Sequence, residues 1–430
     1  MKKCEVRLIV YEKRHSRIYE RILLSFVFQV TTGLCFLWIA SVSILALPYV
    51  HFFEDPKAKN TIIATSLAFI FIDLVLRKFL RYPGAQSVSY AIPTTFFTYG
   101  FVLVIFFFFR TDYSIILLSI GFLFTVLWCF GIYFLSNRYR ISRYALVPFG
   151  ETRHLTQIQG AEFTPLSKPD LKGMRFNAII ADLHSTKITP QWETFLAECT
   201  LHRIPVYHTK QIIESLTGRV KINHFSENEF GALLPSGVYE SVKRLLDLCG
   251  AFILLPLLSP LLLAVAIWIK LDSRGPVFFL QKRMGFRAKS FTMYKFRSMY
   301  LHKEGSGFTE SAKDPRVTRA GKLLRRFRID ELPQLINILL GQMSFIGPRP
   351  ESIELTKSYA KNVPFFAYRH VVRPGISGWA QVNQGYAAET DAMNIKLEYD
   401  FYYIKHFSFW LDILISLKTI RTIVTGFGSR

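Results

Sequence analysis

The sequence predicts a membrane protein in three parts: four membrane-spanning helices, a Rossmann-like α/β domain, and a basic C-terminal module with a re-entrant membrane helix hairpin. Three observations carry this reading. Four stretches (22–48, 61–80, 90–109 and 113–135) are apolar and each about long enough to cross a bilayer. Residues 144–235 alternate short apolar strands with helix-like segments. The remainder crowds arginine and lysine around a few acids. Half of the 430 residues are hydrophobic and 15% aromatic, yet the formal charge is +22. That balance fits soluble parts that meet anionic lipid or anionic substrates. Nucleic acid is the rival for a basic chain, but no zinc-finger spacing, helix-turn-helix pattern or RNP-like aromatic motif is present.

The first apolar segment is too long, and too poor in a small-residue cleavage site, for a signal peptide. Basic residues sort by side. Lys2, Lys3, Arg7, Lys13, Arg14, Arg17 and Arg21 fill the tail (1–21), Arg77, Lys78 and Arg81 the second loop, and Arg138, Arg140 and Arg143 the exit of the fourth segment. The first loop balances two acids with two lysines, and the third turn has only Arg110 and Asp112. The positive-inside rule therefore places the tail and everything after residue 137 in the cytoplasm. Asp73 lies within the second segment, one turn from Arg77, where pairing or snorkelling is expected. The five cysteines form no close pairs and read as packing residues.

The membrane part (22–137) is followed by an α/β domain (138–235). Strands are expected at 144–147, 177–183 and 204–207, and helices at 191–202 and 209–217. The turn after the first strand reads Val147-Pro-Phe-Gly150-Glu-Thr-Arg, with one glycine where a dinucleotide loop has three. A structural, homodimerising or regulatory role is expected in place of a bound dinucleotide.

Residues 245–269 are apolar and long enough to span. However, Lys243 and Arg244 precede the run, and Lys270 and Arg274 follow it. A crossing would carry the basic C-terminal module outside, against the positive-inside bias. Pro260 removes an N–H and crowds the carbonyl four residues back, so a break or sharp kink is expected at Ser259-Pro260. Ser259 can bond a freed carbonyl within lipid. A hairpin that returns to its own face satisfies both observations; a kinked spanning helix is the alternative.

The module (236–430) holds the most chemically loaded stretch, Arg325-Arg326-Phe327-Arg328-Ile329-Asp330-Glu331-Leu332-Pro333-Gln334-Leu335. Two adjacent carboxylates stand among arginines, before an apolar run. Neighbouring cations are expected to lower the carboxylate pKa and keep it ionised, as a nucleophile or metal ligand requires. The same cations can hold phosphates.

Further signatures flank this stretch: Gln281-Lys-Arg283-Met-Gly285, Phe291-Thr-Met-Tyr-Lys295-Phe-Arg297-Ser-Met299, Asp314-Pro-Arg316-Val-Thr-Arg319, Gly347-Pro-Arg349-Pro350 and Arg373-Pro-Gly-Ile-Ser-Gly-Trp-Ala-Gln381. With the Ser259-Pro260 break, the series from about 236 to 430 resembles the bacterial sugar transferase family, the monotopic phosphoglycosyl transferases. The N-terminal parts resemble its long members, polyprenyl-phosphate hexose-1-phosphate transferases. The resemblance implies a mainly α-helical monotopic catalytic domain on the cytoplasmic face of the bacterial inner membrane. It implies transfer of a hexose-1-phosphate from a UDP-sugar to undecaprenyl phosphate, with release of UMP, as the first membrane step of exopolysaccharide, capsule or O-antigen synthesis. Asp330 would be the nucleophile, and Asp330 with Glu331 would hold Mg²⁺. Arg325 would face the phosphates, Lys295 would be a fixed positive charge, and Arg349 and Arg373 further anion contacts. Lys243 is expected to bind lipid headgroups. Glucose or galactose is expected ahead of N-acetylated sugars.

Two rivals are weighed against this. Metal-dependent glycosyltransferases usually carry Asp-x-Asp, and polytopic phosphoglycosyl transferases Asp-Asp; neither pair occurs. A non-catalytic scaffold would tolerate damage to the acidic pair, which is intact. At the C-terminus, aromatics from Phe401 to Trp410 and the apolar face of 411–420 read as an interfacial helix, with a core-packed helix as the alternative.

Overall fold

Before the first membrane helix, residues of the basic tail are docked on the α/β domain. In this computed structural model, which describes residues 11–15, 17–45, 55–84, 90–158, 160–221, 235–300, 314–384 and 390–425, Lys13 bridges to Phe176 and the Arg14 N–H donates to the Phe176 carbonyl at 2.8 Å. Tyr11 explains the docking: its ring lies edge-on to Phe195 at 5.8 Å and is buried in that domain's core. Lys2, Lys3 and Arg7 lie outside the described residues. The chain divides into two compact units, Met1–Gly218 and Arg219–Arg430.

The first unit opens with α1 (Ile18–Leu23), α2 (Phe26–Leu45), α3 (Pro56–Phe79), α4 (Ala91–Phe109) and α5 (Ile115–Arg140). The stretches Phe26–Ser43, Ala91–Phe109 and Ile115–Ser136 are apolar and long enough to cross a membrane, as is Gly237–Asp272 in the second unit. Helix α3, the expected second crossing, is not among these stretches; it packs on α2, α4 and α5. Its Asp73 pairs with Arg77 at 2.7 Å, the paired role expected for an acid at that depth. Cys35, Cys129, Cys199 and Cys249 are all free thiols.

The α/β part of this unit contains β1 (Ser142–Leu146), β2 (Ala161–Pro165), β3 (Ala178–Ala181), α6 (Pro190–Leu201), β4 (Val206–His208) and α7 (Thr209–Thr217). All strand pairs are parallel, in the order β2-β1-β3-β4. Alternation along β1 and β3 builds two cores. Ala145, Ile179 and Ala181 meet Trp192, Phe195 and Cys199 of α6, whereas Leu146 and Ile180 meet Leu155 and Ile212. Strand β2 was not anticipated, because Ala-Glu-Phe-Thr-Pro carries little strand pattern; its pairing with β1 forms it.

The second unit begins with α8 (Gly237–Asp272), which runs unbroken through Pro256 and Pro260. Pro260 therefore ends no helix here. The carbonyl that it deprives of a donor is that of Pro256, and Ser259 Oγ donates to it at 2.8 Å. Phe252, Ile253, Leu257 and Leu263 on this helix are exposed. The antiparallel pair β5 (Phe278–Met284) and β6 (Ser290–Phe296) follows, then α9 (Arg319–Arg326), α10 (Gln334–Leu339), β7 (Ser344–Ile346), α11 (Ile353–Asn362), β8 (Gly375–Ser377), α12 (Trp379–Asn383), α13 (Thr390–Lys405) and α14 (Phe409–Thr425).

Two expectations are corrected here. Leu411, Leu414 and Ile415 of α14 are fully buried, so this helix is packed in the core and is not interfacial. Each such side chain contributes about 2 kcal/mol by leaving water. Lys243 does not face headgroups. It is buried and pairs at 2.6 Å with Asp412, which also accepts from Tyr239 and Tyr403. An isolated buried ammonium is costly, so the pair ties α8 to α14.

Candidate active site

The carboxylate pair sits at a corner. Helix α9 ends in Arg325 and Arg326, Arg328 takes a left-handed conformation (φ 55°), and Ile329–Glu331 form a single 3₁₀ turn before Pro333 opens α10. A left-handed arginine stores strain that the surrounding packing must overcome. That packing is on the next helix, where Leu335 and Ile338 join Ala251 of α8 and Met293 of β6 in one core. Arg244 of α8 donates to the Ile338 and Leu339 carbonyls and so caps the end of α10. Asp330 and Glu331 are thereby held buried, at 9% and 6% exposed.

Strand β6 supplies Lys295. Asn337 of α10 fixes the strand, accepting from the Tyr294 N–H and donating to the Thr292 carbonyl. Lys295 Nζ then donates to Glu331 Oε1 at 3.1 Å. Arg349 reaches the same oxygen at 2.7 Å from the loop after β7. That loop and the adjoining β8 need their glycines, since a Cβ on Gly347 would stand 2.3 Å from the Arg373 carbonyl and one on Gly375 2.1 Å from the Gly347 nitrogen. Below the loop, Arg369 donates to the Arg349 carbonyl at 2.9 Å and is itself held by Asp400 and Glu351 at 2.9 and 3.5 Å.

The electrostatics split the pair. Burial would raise Glu331, but Arg349 and Lys295 outweigh it and hold this carboxyl far below the ordinary range. Asp330 goes the other way: burial first, and then the charge on Glu331, push it up to about 6 against Lys295, Arg325 and Arg349. The expectation that neighbouring cations lower this carboxyl is therefore corrected. The cations are committed to Glu331, and desolvation wins at Asp330. Burial lowers Lys295, which Glu331 opposes.

The structure thus brings Asp330, Glu331, Lys295, Arg349 and Arg325 together. It places Arg373 elsewhere: that guanidinium pairs with Glu240 at 2.9 Å, bonds the Gly341 carbonyl and lies over Phe286. Ser259 and Pro260 lie within α8. Reasoning from sequence passed over Arg283, Arg328 and Arg369. The first two stand inside the signatures, and both lie in the field of Glu331. Nothing local marks Arg369, whose partners are 18 and 31 positions away in the chain.

Mg²⁺ can be tested against these donors. Glu331 Oε2 is buried without a hydrogen-bond partner, and paired carboxylate oxygens are the hard ligands that Mg²⁺ takes. The residues fit. In the first unit Asp182, His184 and His208 also gather ligand atoms within 4.8 Å of one another. There the Lys210 N–H donates to His208 Nδ1 at 3.1 Å. A neutral His208 therefore carries its proton on Nε2, the atom 2.9 Å from His184 and 3.4 Å from Asp182. This is a hydrogen-bond chain in place of a ligand set, because a ligating imidazole donates from its other nitrogen.

The profile of a family described as bacterial sugar transferase matches residues 238–426. The UDP-N-acetylgalactosamine-undecaprenyl-phosphate N-acetylgalactosaminephosphotransferase of Aeromonas hydrophila is 49% identical over 429 residues, covering 98% of this chain and 100% of the relative. The UDP-glucose:undecaprenyl-phosphate glucose-1-phosphate transferase of Escherichia coli K12 is 43% identical over 189 residues, or 43% of this chain and 40% of the relative. The exopolysaccharide production protein PSS of Rhizobium leguminosarum is 42% identical over 192 residues, or 43% of this chain and 96% of the relative.

Proposed function

Because the chain belongs to the bacterial sugar transferase family, we propose that it moves a sugar-1-phosphate from a UDP-sugar to undecaprenyl phosphate and releases UMP. The observation that carries this reading is the buried Asp330-Glu331 pair inside the Lys295, Arg325 and Arg349 cations. Two anions must meet for the reaction to occur, and a cationic enclosure lowers that barrier. The relative matched end to end is named for N-acetylgalactosamine. We therefore take an N-acetylhexosamine donor as the first candidate, ahead of the glucose or galactose expected from sequence.

In the proposed mechanism an Asp330 carboxylate oxygen attacks the sugar-bearing phosphorus. The bond from that phosphorus to the bridging oxygen breaks, and UMP leaves with the electron pair. A lipid phosphate oxygen then attacks the same phosphorus, the acyl-phosphate bond breaks, and the Asp330 carboxylate is restored. No proton need move. Lys295 and Arg349 fix Glu331, while Arg325 opposes charge beside Asp330. Mg²⁺, held by Asp330 and Glu331 Oε2, would neutralise charge on the diphosphate.

The membrane placement belongs to the same proposal. We read the parallel sheet as a reduced Rossmann type and α8 as a re-entrant element on the cytoplasmic face. Support for re-entry comes from the two ends of α8. Near its start Asp247 accepts from the Phe345 N–H, and at its end Asp272 accepts from the Ala320 N–H, so one compact unit grips both. Cysteines placed at Gly237 and Ser273 should both label from the cytoplasmic side only; periplasmic labelling of the second would sink this reading.

The chemistry is tested by quenching enzyme mixed with labelled UDP-sugar and Mg²⁺, without lipid acceptor. Label should stay on the wild-type protein with near-stoichiometric UMP release, be absent from Asp330→Asn, and require Mg²⁺. UMP release that depends on the acceptor, with no trapped adduct, would favour direct in-line transfer.

A further inference from the structure

The cations around Glu331 outnumber the carboxylates, and two of them are paired with no acid. Lys295, Arg283, Arg325, Arg328 and Arg349 surround the Asp330-Glu331 corner. Lys295 and Arg349 are spent on Glu331 Oε1, and Arg325 stands beside Asp330. Arg328 makes no side-chain hydrogen bond or ion pair among the described residues. Arg283 has no carboxylate partner among them. Its hydrogen bonds go to neutral acceptors, Gln281 Oε1 at 2.7 and 3.0 Å and the Pro350 carbonyl at 3.1 Å. Glu351, also near Arg283, is already held by Lys396 and Arg369, and Glu354 is exposed.

Both arginines are fixed where they stand. The bond to Pro350 puts Arg283 next in the chain to Arg349, whose guanidinium grips Glu331. Strand β5 is anchored there by the Met284 N–H, which donates to the Glu351 carbonyl at 3.0 Å. Arg328 sits on the turn that carries the acidic pair, and its carbonyl accepts from the Glu331 N–H at 3.1 Å. Its φ of 55° is strain that a glycine would relieve. Such strain gathers where a side chain must be held in one place for a ligand. Arg328 lies in the fields of both Glu331 and Asp330, whereas Arg283 lies in that of Glu331 and not of Asp330. The two therefore converge on Glu331 from different elements, with Arg283 on the side away from Asp330. Burial pulls both guanidiniums down, a cost that a bound anion would remove.

We propose that Arg283 and Arg328 form a seat for a phosphate monoester dianion, and that it holds the phosphate of UMP as it leaves. The seat rests on the transfer reading. In-line displacement by Asp330 expels the bridging oxygen on the face opposite the nucleophile, which is the side where Arg283 stands. The lipid phosphate oxygen must return along the same line to reach the phosphorus, so UMP and lipid phosphate occupy the seat in turn. Guanidinium forks without another acid to hold are suited to phosphate oxygens.

The test titrates UMP, with Mg²⁺ present, into the full chain in detergent and reads the heat of binding, with uridine as the comparison. Wild type should bind UMP in preference to uridine. Arg328→Gly should weaken UMP binding by about tenfold or more, while its melting temperature holds or rises because the strain is gone. Loss of ligand and of stability together would mark a structural role and overturn the part given to Arg328. Arg283→Gln should weaken UMP about as much, and Arg283→Lys should recover part of the loss by keeping the charge. A short-chain polyprenyl phosphate should displace UMP from wild type; both bound at once would overturn the shared occupancy. Unchanged UMP affinity in Arg328→Gly and Arg283→Gln overturns the seat and leaves the transfer reading in place. Wild type that binds uridine as tightly as UMP would overturn both together.

Discussion

The two units both bring charged side chains to a place where a ligand could sit, and they do opposite things with them. In the first unit the crevice beyond the carboxyl ends of β1 and β3 is where an open parallel sheet takes ligands. Asp182 fills it: a Cβ on Gly150 (φ +70°) would lie 2.1 Å from Asp182 Oδ2, and His208 contacts the other oxygen at 3.4 Å. In the second unit Glu331 is gripped through Oε1 alone, Oε2 keeps its bonding capacity, and Asp330 remains a carboxyl pushed up to about 6. Charge density does not distinguish the two places. Unspent bonding capacity, held rigid by neighbours, does.

The sharpest way to break the comparison is Asp330→Asn. It keeps the shape and removes the anion, so turnover should fall by about 10⁴-fold or more. Its melting temperature should hold or rise, because a carboxyl whose pKa is raised by burial is destabilising when ionised. Loss of activity together with unfolding would count against the nucleophile role.

Glu331→Gln comes next, and should differ in kind. It leaves Lys295 and Arg349 without their shared counter-charge, so about 3 kcal/mol of stability should go along with about 100-fold or more in turnover. A variant as stable as wild type would show that the cations have other partners.

A third effect is smaller and reads the split pair directly. Asp330 is protonated as pH falls through about 6, while the lowered Glu331 stays ionised. Turnover should therefore drop about tenfold per unit below pH 6, on a single acid limb. For stability the sign is reversed. The native state holds the Asp330 proton more tightly than the unfolded chain does, so this group favours folding at acid pH, and that contribution is lost as pH rises from about 4 through about 6. A flat profile down to pH 5 would overturn the assignment.

Gly150→Ala should do least to the chemistry. A left-handed alanine crowding Asp182 costs about 1–3 kcal/mol, seen as a lower melting temperature of the first unit. Turnover per folded molecule should not change. A loss of turnover would mean that the filled crevice takes part in the reaction.

Much of the molecule was legible along the chain. Hydropathy marked three of the four N-terminal membrane stretches, and short apolar runs marked β1, β3 and β4. The arginine run around Asp330 and Glu331 marked the corner where the site stands, because those features repeat over a few adjacent residues. Strand β2 was not legible, since its sequence is nearly patternless and only the neighbouring β1 makes it a strand. The same holds for Lys243 and Arg373, which from sequence are basic residues near a membrane and a motif. Their partners, Asp412 and Glu240, are 169 and 133 positions away. Sequence by itself determined which residues carry charge and which segments avoid water, because both are properties of side chains. Tertiary structure alone decided which carboxyl keeps its charge and which cations are spent on structure. Desolvation and pairing act through space, between groups that chain order does not bring together.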